Sequence, residues 1–146
     1  MRKRLVLVGA GHAHLSVLRA LAQTRAAGLE VVLITPSRHQ NYSGMLPGWV
    51  AEHYTQAQCR IDLEPLVQAA GARLVLDQIV GMDATRRCVG LADGPHVDYD
   101  LLSIDIGSET DTSWLETLGD KLLPVKPQDN FFASWPRILA AAKAQK

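Results

Sequence analysis

The sequence predicts an α/β protein whose parallel sheet begins with a βαβ unit and is followed by an antiparallel β-meander. Three observations support this class. Two short apolar runs, LVLV and EVVLIT, flank a segment of helical periodicity, as in a βαβ unit with a right-handed crossover. Two glycines directly follow the first run. Further along the chain, short apolar runs separated by turn residues are typical of antiparallel strands.

The βαβ unit is predicted at the start of the chain. Its first strand covers residues 5–8, which are apolar on both faces, as expected of a buried parallel strand. The helix covers residues 12–27 and ends at Gly28, because glycine is common just beyond a helix C-terminus. The second buried strand covers residues 30–35.

A long loop and a second helix come next. The loop, residues 36–54, is rich in proline and glycine and holds a short helical turn near residues 46–52. Asp62 is a suitable N-cap residue, because aspartate is strongly preferred at that position. The sequence therefore predicts a helix from Asp62 through Ala70, closed by Gly71.

Short strands and a final helix are predicted for the remainder. Residues 73–98 contain short apolar segments joined by tight turns, which indicates an antiparallel meander. Residues 101–107, LLSIDIG, form another apolar strand that ends at a glycine. A loop rich in Pro, Asp and Asn then leads to a helix from about Phe131 onward.

Composition fits one soluble globular domain and narrows its partners. The chain has 146 residues, 47% of them hydrophobic, and a formal net charge of zero. A neutral chain has no electrostatic attraction to nucleic acid or to an anionic membrane, so we expect no nucleic-acid partner. The two cysteines, Cys59 and Cys88, form no CxxC motif and favour a reducing compartment. A cytoplasmic location is therefore expected.

Gly9 and Gly11 form a G-x-G turn between the first strand and the first helix. In a dinucleotide-binding turn the first glycine allows the sharp turn. The second lets a pyrophosphate approach the backbone N–H groups and the positive end of the helix dipole. His14 stands at the third glycine position, which predicts a wider approach of helix and strand or an imidazole directed away from the sheet. The alternative is a purely structural βα turn.

The acidic residue that commonly binds a ribose 2′-hydroxyl is missing from the end of the second strand. Glu30 has nearly the right spacing from the glycines but lies at the wrong end of that strand. The expected place holds Thr35, Ser37 and Arg38. The two hydroxyls could bond a ribose, and Arg38 could equally bind a 2′-phosphate, so NADP is an open alternative on chemistry alone.

Three segments together, with a weaker fourth, carry a resemblance to a known family. They are VGAGHAHLSVLR at the first turn, YSGMLPGWVAEHY at residues 42–54, YDLLSIDIGS at residues 99–108 and LPVKP at residues 123–127. In this order they resemble the FAD half of the pyridine nucleotide-disulfide oxidoreductase superfamily, which has a Rossmann-like sheet. The closest resemblance is to type II NADH dehydrogenase-like flavoproteins, including those fused to selenide, water dikinase. The meander fits, because this superfamily uses one in place of a crossover helix.

The resemblance implies FAD, not NADP, as the bound nucleotide. Along the pyrophosphate it places Gly9, Gly11, His12 and Ala13, and near the adenosine ribose it places Thr35, Ser37 and Arg38. Near the pyrophosphate, the ribityl chain or the flavin it places Tyr42, Ser43, Gly44, Met45 and Leu46. Gly107 lets the backbone pass close to the cofactor. One departure is that Asp105 and Ile106 replace the usual alanine and threonine before that last glycine.

The resemblance also implies a larger enzyme. Residues 1–146 correspond to the N-terminal FAD-binding domain, and the NAD(P)H-binding domain and the returning C-terminal segment have no counterpart here. We therefore expect a FAD-dependent NAD(P)H oxidoreductase whose complete form passes a hydride from nicotinamide to flavin and electrons to a quinone or other acceptor. This segment is not expected to be active alone. Peripheral membrane attachment of the complete protein and homo-oligomers are compatible with this interpretation.

Two rival classes stay open. One is a single-domain NADP-binding reductase or nucleotide sensor that uses Ser37 and Arg38, and the other is a non-catalytic α/β interaction domain. No side chain is singled out as a catalytic acid, base or nucleophile. No metal site is expected, because His12 and His14 lie two residues apart and point in different directions on a helix.

Overall fold

The structure, a computed structural model, describes residues 2–144. These residues form two compact units. The first, here called the sheet unit, comprises the described residues up to Gln40 together with Asp62–Gly107. The second, here called the aromatic unit, comprises Asn41–Ile61 together with residues 108–144. Each unit has a hydrophobic core of its own.

Strands and helices alternate in the first part of the chain, and strands follow one another in the second, so the predicted α/β class is confirmed. In chain order the elements are β1 (Lys3–Val8), α1 (His12–Gln23), β2 (Leu29–Thr35), β3 (His39–Asn41), α2 (Leu46–Val50), β4 (Arg60–Asp62), α3 (Leu63–Ala69), β5 (Arg73–Leu76), β6 (Ile79–Asp83), β7 (Cys88–Leu91), β8 (Val97–Asp98), β9 (Leu101–Ile104) and α4 (Gln128–Ala144).

The sheet unit is built on a parallel sheet with the strand order β5-β2-β1-β9. Its central strands are apolar on both faces because both faces are covered. On one face Leu7 packs with Leu18 of α1 and Leu63 of α3. On the other face Val6 packs with Val89 of the meander. Full burial of each such side chain contributes about 1.5–3 kcal/mol relative to exposure, so the two layers hold the sheet from both sides.

The end of α1 differs from the prediction. The helix ends at Gln23, and Thr24 is its C-cap in an extended conformation, whereas the sequence predicted helix through residue 27. Gly28 lies in the following turn with φ +76°, and its carbonyl oxygen accepts from the N–H of Lys3 at 2.8 Å. The glycine is therefore needed for the entry into β2 and not for the helix terminus.

The predicted meander is confirmed with one correction. β6, β7 and β8 form a three-stranded antiparallel sheet. Residues 73–76, which the sequence grouped with the meander, instead form β5 and pair in parallel with β2. A short segment such as RLVL, with three apolar residues, has the same pattern in both settings, so only the neighbouring strand decides between them.

The second predicted helix is confirmed, with a cap at each end. Asp62 is the N-cap of α3, and its carboxylate accepts from the N–H of Glu64 at 3.1 Å. Gly71 follows the helix with φ +65°, a conformation that favours glycine. The cap pair explains why a helix as short as α3 begins and ends where it does.

The aromatic unit has a small core of its own. A 3₁₀ turn at Ser43–Met45 leads into α2, near the predicted helical turn. Phe131 and Phe132 of α4 are buried with Leu46 and Cys59, and the Trp49 ring contacts Phe132 with 4.4 Å between ring centroids. α4 begins at Gln128, slightly before the predicted Phe131. The preceding stretch, predicted as loop, contains a 3₁₀ helix over Ser113–Lys121.

Candidate nucleotide-binding site

The turn between β1 and α1 starts with Gly9, at the carboxyl end of the parallel sheet. Gly9 has φ +84°, a left-handed conformation that residues with a Cβ rarely adopt. Its N–H donates to the Ile34 carbonyl oxygen at 2.8 Å, which ties the turn to β2. A Cβ built on Gly9 would overlap the backbone of Asp105, just after β9. Conformation and close approach therefore both require glycine at this position.

Gly11 is the N-cap of α1 and is required for a different reason. Its φ of −65° suits most residues, but a Cβ here would overlap the Asp105 carboxylate. Its N–H donates to the Asp105 carbonyl oxygen at 3.1 Å. The second glycine thus leaves room above the start of α1 for a negatively charged group. The sequence predicts that Gly11 leaves room for a pyrophosphate. In the structure the negatively charged group in this room is the carboxylate of Asp105.

The Asp105 carboxylate accepts hydrogen bonds from the first turn of α1. Its Oδ2 accepts from the N–H of Ala13 at 2.9 Å and from the N–H of His14 at 3.2 Å. The first turn of α1 has no acidic residue, and Gly11 has no side chain to cap it. These N–H groups therefore need an acceptor from elsewhere. Donors and helix dipole together make an anion site, and Asp105 occupies it.

His14 bridges α1 to β9 in place of the third glycine. The ring is buried, with Nδ1 2.7 Å from the Gly9 carbonyl oxygen and Nε2 2.8 Å from Ser103 Oγ. Because a carbonyl oxygen only accepts, Nδ1 carries the proton, and in the neutral imidazole Nε2 accepts from the Ser103 hydroxyl. The expectation of an imidazole directed away from the sheet is wrong, since the ring reaches a strand of that sheet.

Thr35 is the last residue of β2, and Ser37 lies just beyond the end of this strand. β1 and β2 end side by side, because Val8 pairs with Ile34. Thr35 is buried, and its carbonyl oxygen accepts from the N–H of Asp77 at 3.1 Å. The Ser37 Oγ accepts from the N–H of His39 at 3.1 Å. The hydroxyl of Ser37 is thus already engaged in its own turn.

Arg38 is held between two carboxylates. Its Nε and Nη2 donate to Asp62 at 3.2 Å each, and its Nη1 lies 2.8 Å from Glu64 Oε2. The hydrogen bonds and charge of Asp62 raise the pKa of Arg38 above its usual value, and the hydrogen bond from Arg38 lowers the pKa of Asp62. A 2′-phosphate at Arg38 would meet these two acidic groups, which disfavours the NADP alternative.

Glu30 lies at the other end of β2, as the sequence indicated. Its Oε2 is 3.0 Å from Arg4 Nε at the amino end of the sheet. It is therefore part of an ion pair far along the strand from Gly9, and it offers no carboxylate to a ribose beside the glycine turn.

Five of the predicted cofactor residues lie in the aromatic unit. Tyr42, Ser43 and Gly44 are exposed, Met45 is half-buried and Leu46 is buried in the core of that unit. A Cβ on Gly44 would lie 2.9 Å from the Tyr42 ring, so the tyrosine packs closely over this glycine.

The sheet unit contains the other predicted residues. These are Gly9, Gly11, His12, Ala13, Thr35, Ser37, Arg38 and Gly107. His12 and Ala13 are exposed in the first turn of α1. Gly107 has φ +76° and open space where a Cβ would stand, so its conformation alone favours glycine.

Asp105 is the site residue that sequence reasoning missed. The sequence showed that Asp105 replaces the usual alanine, but it did not show that the Asp105 carboxylate binds the first turn of α1. The available signal was an aspartate directly after an apolar strand, in a segment that ends at the carboxyl edge of the sheet beside the glycine turn.

The cysteines and the potential metal ligands of the described residues form no second site. Cys59 and Cys88 are both buried free thiols. Within residues 2–144 no three His, Cys, Asp or Glu side chains are grouped closely enough to hold a metal ion. None of the helices in that part of the chain combines the length and the apolar character that crossing a membrane requires.

A parallel sheet with a glycine turn and a helix N-terminus at its carboxyl edge defines a Rossmann-like α/β fold. No protein-family model and no curated protein matches the chain. Solved structures do match it. The sulfide:quinone oxidoreductase of the bacterium Aquifex aeolicus gives a TM-score of 0.66 at 18% identity, over 73% of this chain and 25% of its own length.

Two further solved structures are similar. NDH2 from Plasmodium falciparum, in complex with NADH, gives a TM-score of 0.65 at 15% identity, over 77% of this chain and 24% of its own. NADH:rubredoxin oxidoreductase from Clostridium acetobutylicum gives a TM-score of 0.61 at 18% identity, over 76% of this chain and 29% of its own length. The predicted resemblance is confirmed at the level of the fold. The chain spans about a quarter of the length of these oxidoreductases.

Proposed function

We propose that this chain is the FAD-binding part of a FAD-dependent NAD(P)H oxidoreductase. The observation that carries the proposal is the anion site at the start of α1. There two glycines leave the backbone open, and the N–H groups of Ala13 and His14 hold a carboxylate. A nucleotide pyrophosphate needs the same donors and the same open backbone. The similar folds of several oxidoreductases support the same interpretation.

The donor chemistry of the site fits the pyrophosphate of FAD with one exception. Backbone N–H groups and a helix N-terminus suit the negatively charged phosphates of a pyrophosphate, whereas the Asp105 carboxylate carries the same sign of charge and stands in the same place. When bound, FAD supplies the two-electron chemistry, and the protein supplies position and electrostatics. In this proposal the pyrophosphate lies along Gly9, Gly11, His12 and Ala13.

The other predicted residues receive roles by resemblance. Thr35, Ser37 and Arg38 approach the adenosine ribose, and Gly107 lets the backbone pass close to the cofactor. The segment of the aromatic unit, Tyr42, Ser43, Gly44, Met45 and Leu46, approaches the pyrophosphate, ribityl chain or flavin. Among these, the burial of Leu46 in its own core favours a backbone contribution over a side-chain one.

The activity of the whole protein is also a proposal. Residues 1–146 form its FAD-binding domain, and NAD(P)H binds outside this segment and delivers a hydride to the flavin. A quinone or another acceptor then takes the electrons. The matched structures include a sulfide:quinone oxidoreductase and an NADH:rubredoxin oxidoreductase, so both small-molecule and protein acceptors occur on this fold.

Parallel titrations of the 146-residue chain with FAD, NADP and NAD test the proposal. We expect saturable FAD binding, measured by flavin fluorescence and calorimetry, that is at least about tenfold weaker in Gly11→Val, because a side chain there closes the pyrophosphate position. Gly81→Val is the matched control, since a Cβ at Gly81 meets nothing within 4 Å.

Each other outcome would contradict the proposal in a different way. Selective binding of NADP that is lost in Arg38→Ala would move the assignment to the reductase alternative. Binding of no nucleotide, either by the folded original chain or by a folded Asp105→Asn variant, would favour the interaction domain, in which the glycines serve only the contact with Asp105.

A further inference from the structure

Asp105 stands where the proposed function needs a phosphate, and its backbone is fixed there. Its N–H donates to the Val8 carbonyl oxygen at 2.8 Å, and its carbonyl oxygen accepts from Gly11 at 3.1 Å. The backbone therefore cannot withdraw without breaking the junction of β1, α1 and β9. Only the side chain, held by two hydrogen bonds to Ala13 and His14, is able to leave the site by rotation.

Among residues 2–144 no cation side chain binds the Asp105 carboxylate. Its hydrogen-bond partners in the described part of the chain are backbone N–H groups of α1, and no ion pair involves it. An anion held only by backbone donors can be exchanged for another anion without leaving a cation unpaired. Two anions cannot share these donors, because like charges in contact repel strongly.

We propose that Asp105 is a built-in competitor for the phosphate position, which must rotate away from the start of α1 before the pyrophosphate of a flavin nucleotide binds. This inference rests on the proposed function and adds the regulation of the same site. Asp105 keeps the N–H groups of α1 satisfied in the ligand-free chain and lowers the affinity for the nucleotide. It thereby favours reversible over permanent occupancy of the site.

Two substitutions at Asp105 separate the effect of its negative charge from the effect of its hydrogen bonds to the first turn of α1. Asp105→Asn keeps an oxygen that accepts from Ala13 and His14 but removes the charge, and Asp105→Ala removes both. We expect FAD to bind about tenfold more tightly to Asp105→Asn than to the original chain. Binding to Asp105→Ala is expected to be at least as tight as binding to Asp105→Asn. Only Asp105→Ala is expected to lower the melting temperature clearly, because it leaves the N–H groups uncapped.

The matched control is Asp83→Asn. The Asp83 carboxylate also accepts a hydrogen bond from a backbone N–H, that of Arg86 at 2.9 Å, but Asp83 is the last residue of β6 in the meander. Asp83→Asn changes the net charge by the same amount as Asp105→Asn. We expect it to change FAD affinity by less than about twofold, because solvent and salt screen a surface charge that lies away from the site. Amide chemical shifts of Ala13 and His14 in the ligand-free chain report the carboxylate contact without any nucleotide.

The outcomes are distinguishable. Tighter binding to both Asp105 variants, with shifted Ala13 and His14 amides in Asp105→Asn, supports the inference. Equal or weaker FAD binding to the variants overturns it and leaves the proposed function standing. Absence of FAD binding to the original chain and to both variants overturns the proposed function, and the inference with it.

Discussion

The two ends of the parallel sheet hold their charges in different ways. At the amino end Arg4 pairs with Glu30, and Asp100 accepts from the backbone N–H of Arg4 at 2.7 Å while it pairs with Lys3. At the carboxyl end the Asp105 carboxylate accepts from the backbone N–H groups of Ala13 and His14, and no described cation side chain pairs with it. The charges at the amino end are paired with opposite side chains and belong to the scaffold, whereas the Asp105 carboxylate stands at a helix N-terminus beside two glycines, where another anion could take its place.

The glycines mark the same difference. Gly9 and Gly11 both face Asp105 so closely that a Cβ would overlap it, while a Cβ on Gly28, at the amino end, meets nothing within 4 Å. At the carboxyl end, glycine therefore makes room for a group above the backbone. At the amino end, glycine only provides a left-handed turn, with φ +76° at Gly28.

The largest effect is expected from Gly9→Val, which breaks the carboxyl end of the sheet. A β-branched residue at φ +84° is strained, and its side chain would overlap the Asp105 backbone. We expect a loss of about 3 kcal/mol or more in the free energy of unfolding, measured by urea denaturation. Gly81→Val, in an open strand position, is the control. Equal losses in the two variants would contradict the role given to Gly9.

A somewhat smaller loss is expected from His14→Ala, which removes the bridge from α1 to β9. The change leaves the Ser103 hydroxyl and the Gly9 carbonyl oxygen without their partner, at a cost of about 2–4 kcal/mol. Arg19→Ala, at an exposed position of the same helix, is expected to change the free energy of unfolding by less than about 0.5 kcal/mol. A similar small change in His14→Ala would show that the bridge is dispensable.

Much of the scaffold is predictable from local sequence. β1 and β2 follow from apolar runs that suit a strand covered on both faces, and α3 follows from the cap residues Asp62 and Gly71. Each of these signals acts within a few residues of the element that it specifies. The G-x-G turn is predictable in the same way, because both glycines stand next to the strand that they terminate.

The features that the sequence did not reveal depend on distant neighbours. Asp105 is 92 residues from Ala13, and His14 is 89 residues from Ser103, so nothing near either residue reports the contact. The place of β5 beside β2 depends likewise on the strand next to it. Sequence patterns therefore located the anion site, but only the arrangement of strands around it reveals which group occupies it.

The smallest effect is expected at the amino end, where acid should weaken the scaffold through Asp100. The backbone hydrogen bond from Arg4, then the bond and charge of Lys3, lower the pKa of Asp100 below its ordinary value of 3.8. Since the folded pKa is the lower one, this stabilisation is present above pH 3.8 and is lost as the pH falls through the folded value. Asp100→Asn should therefore lose less stability than the original chain between neutral and strongly acid pH.

High salt sharpens this last measurement, because the two partners of Asp100 respond to it differently. Salt screens the exposed pair with Lys3 but hardly affects the hydrogen bond from the Arg4 N–H. If the backbone bond dominates, the difference in acid sensitivity between the original chain and Asp100→Asn persists in 1 M salt, where the screening length is about 3 Å. If that difference disappears, the carboxylate depends on Lys3, and the amino end is held by side-chain charge alone.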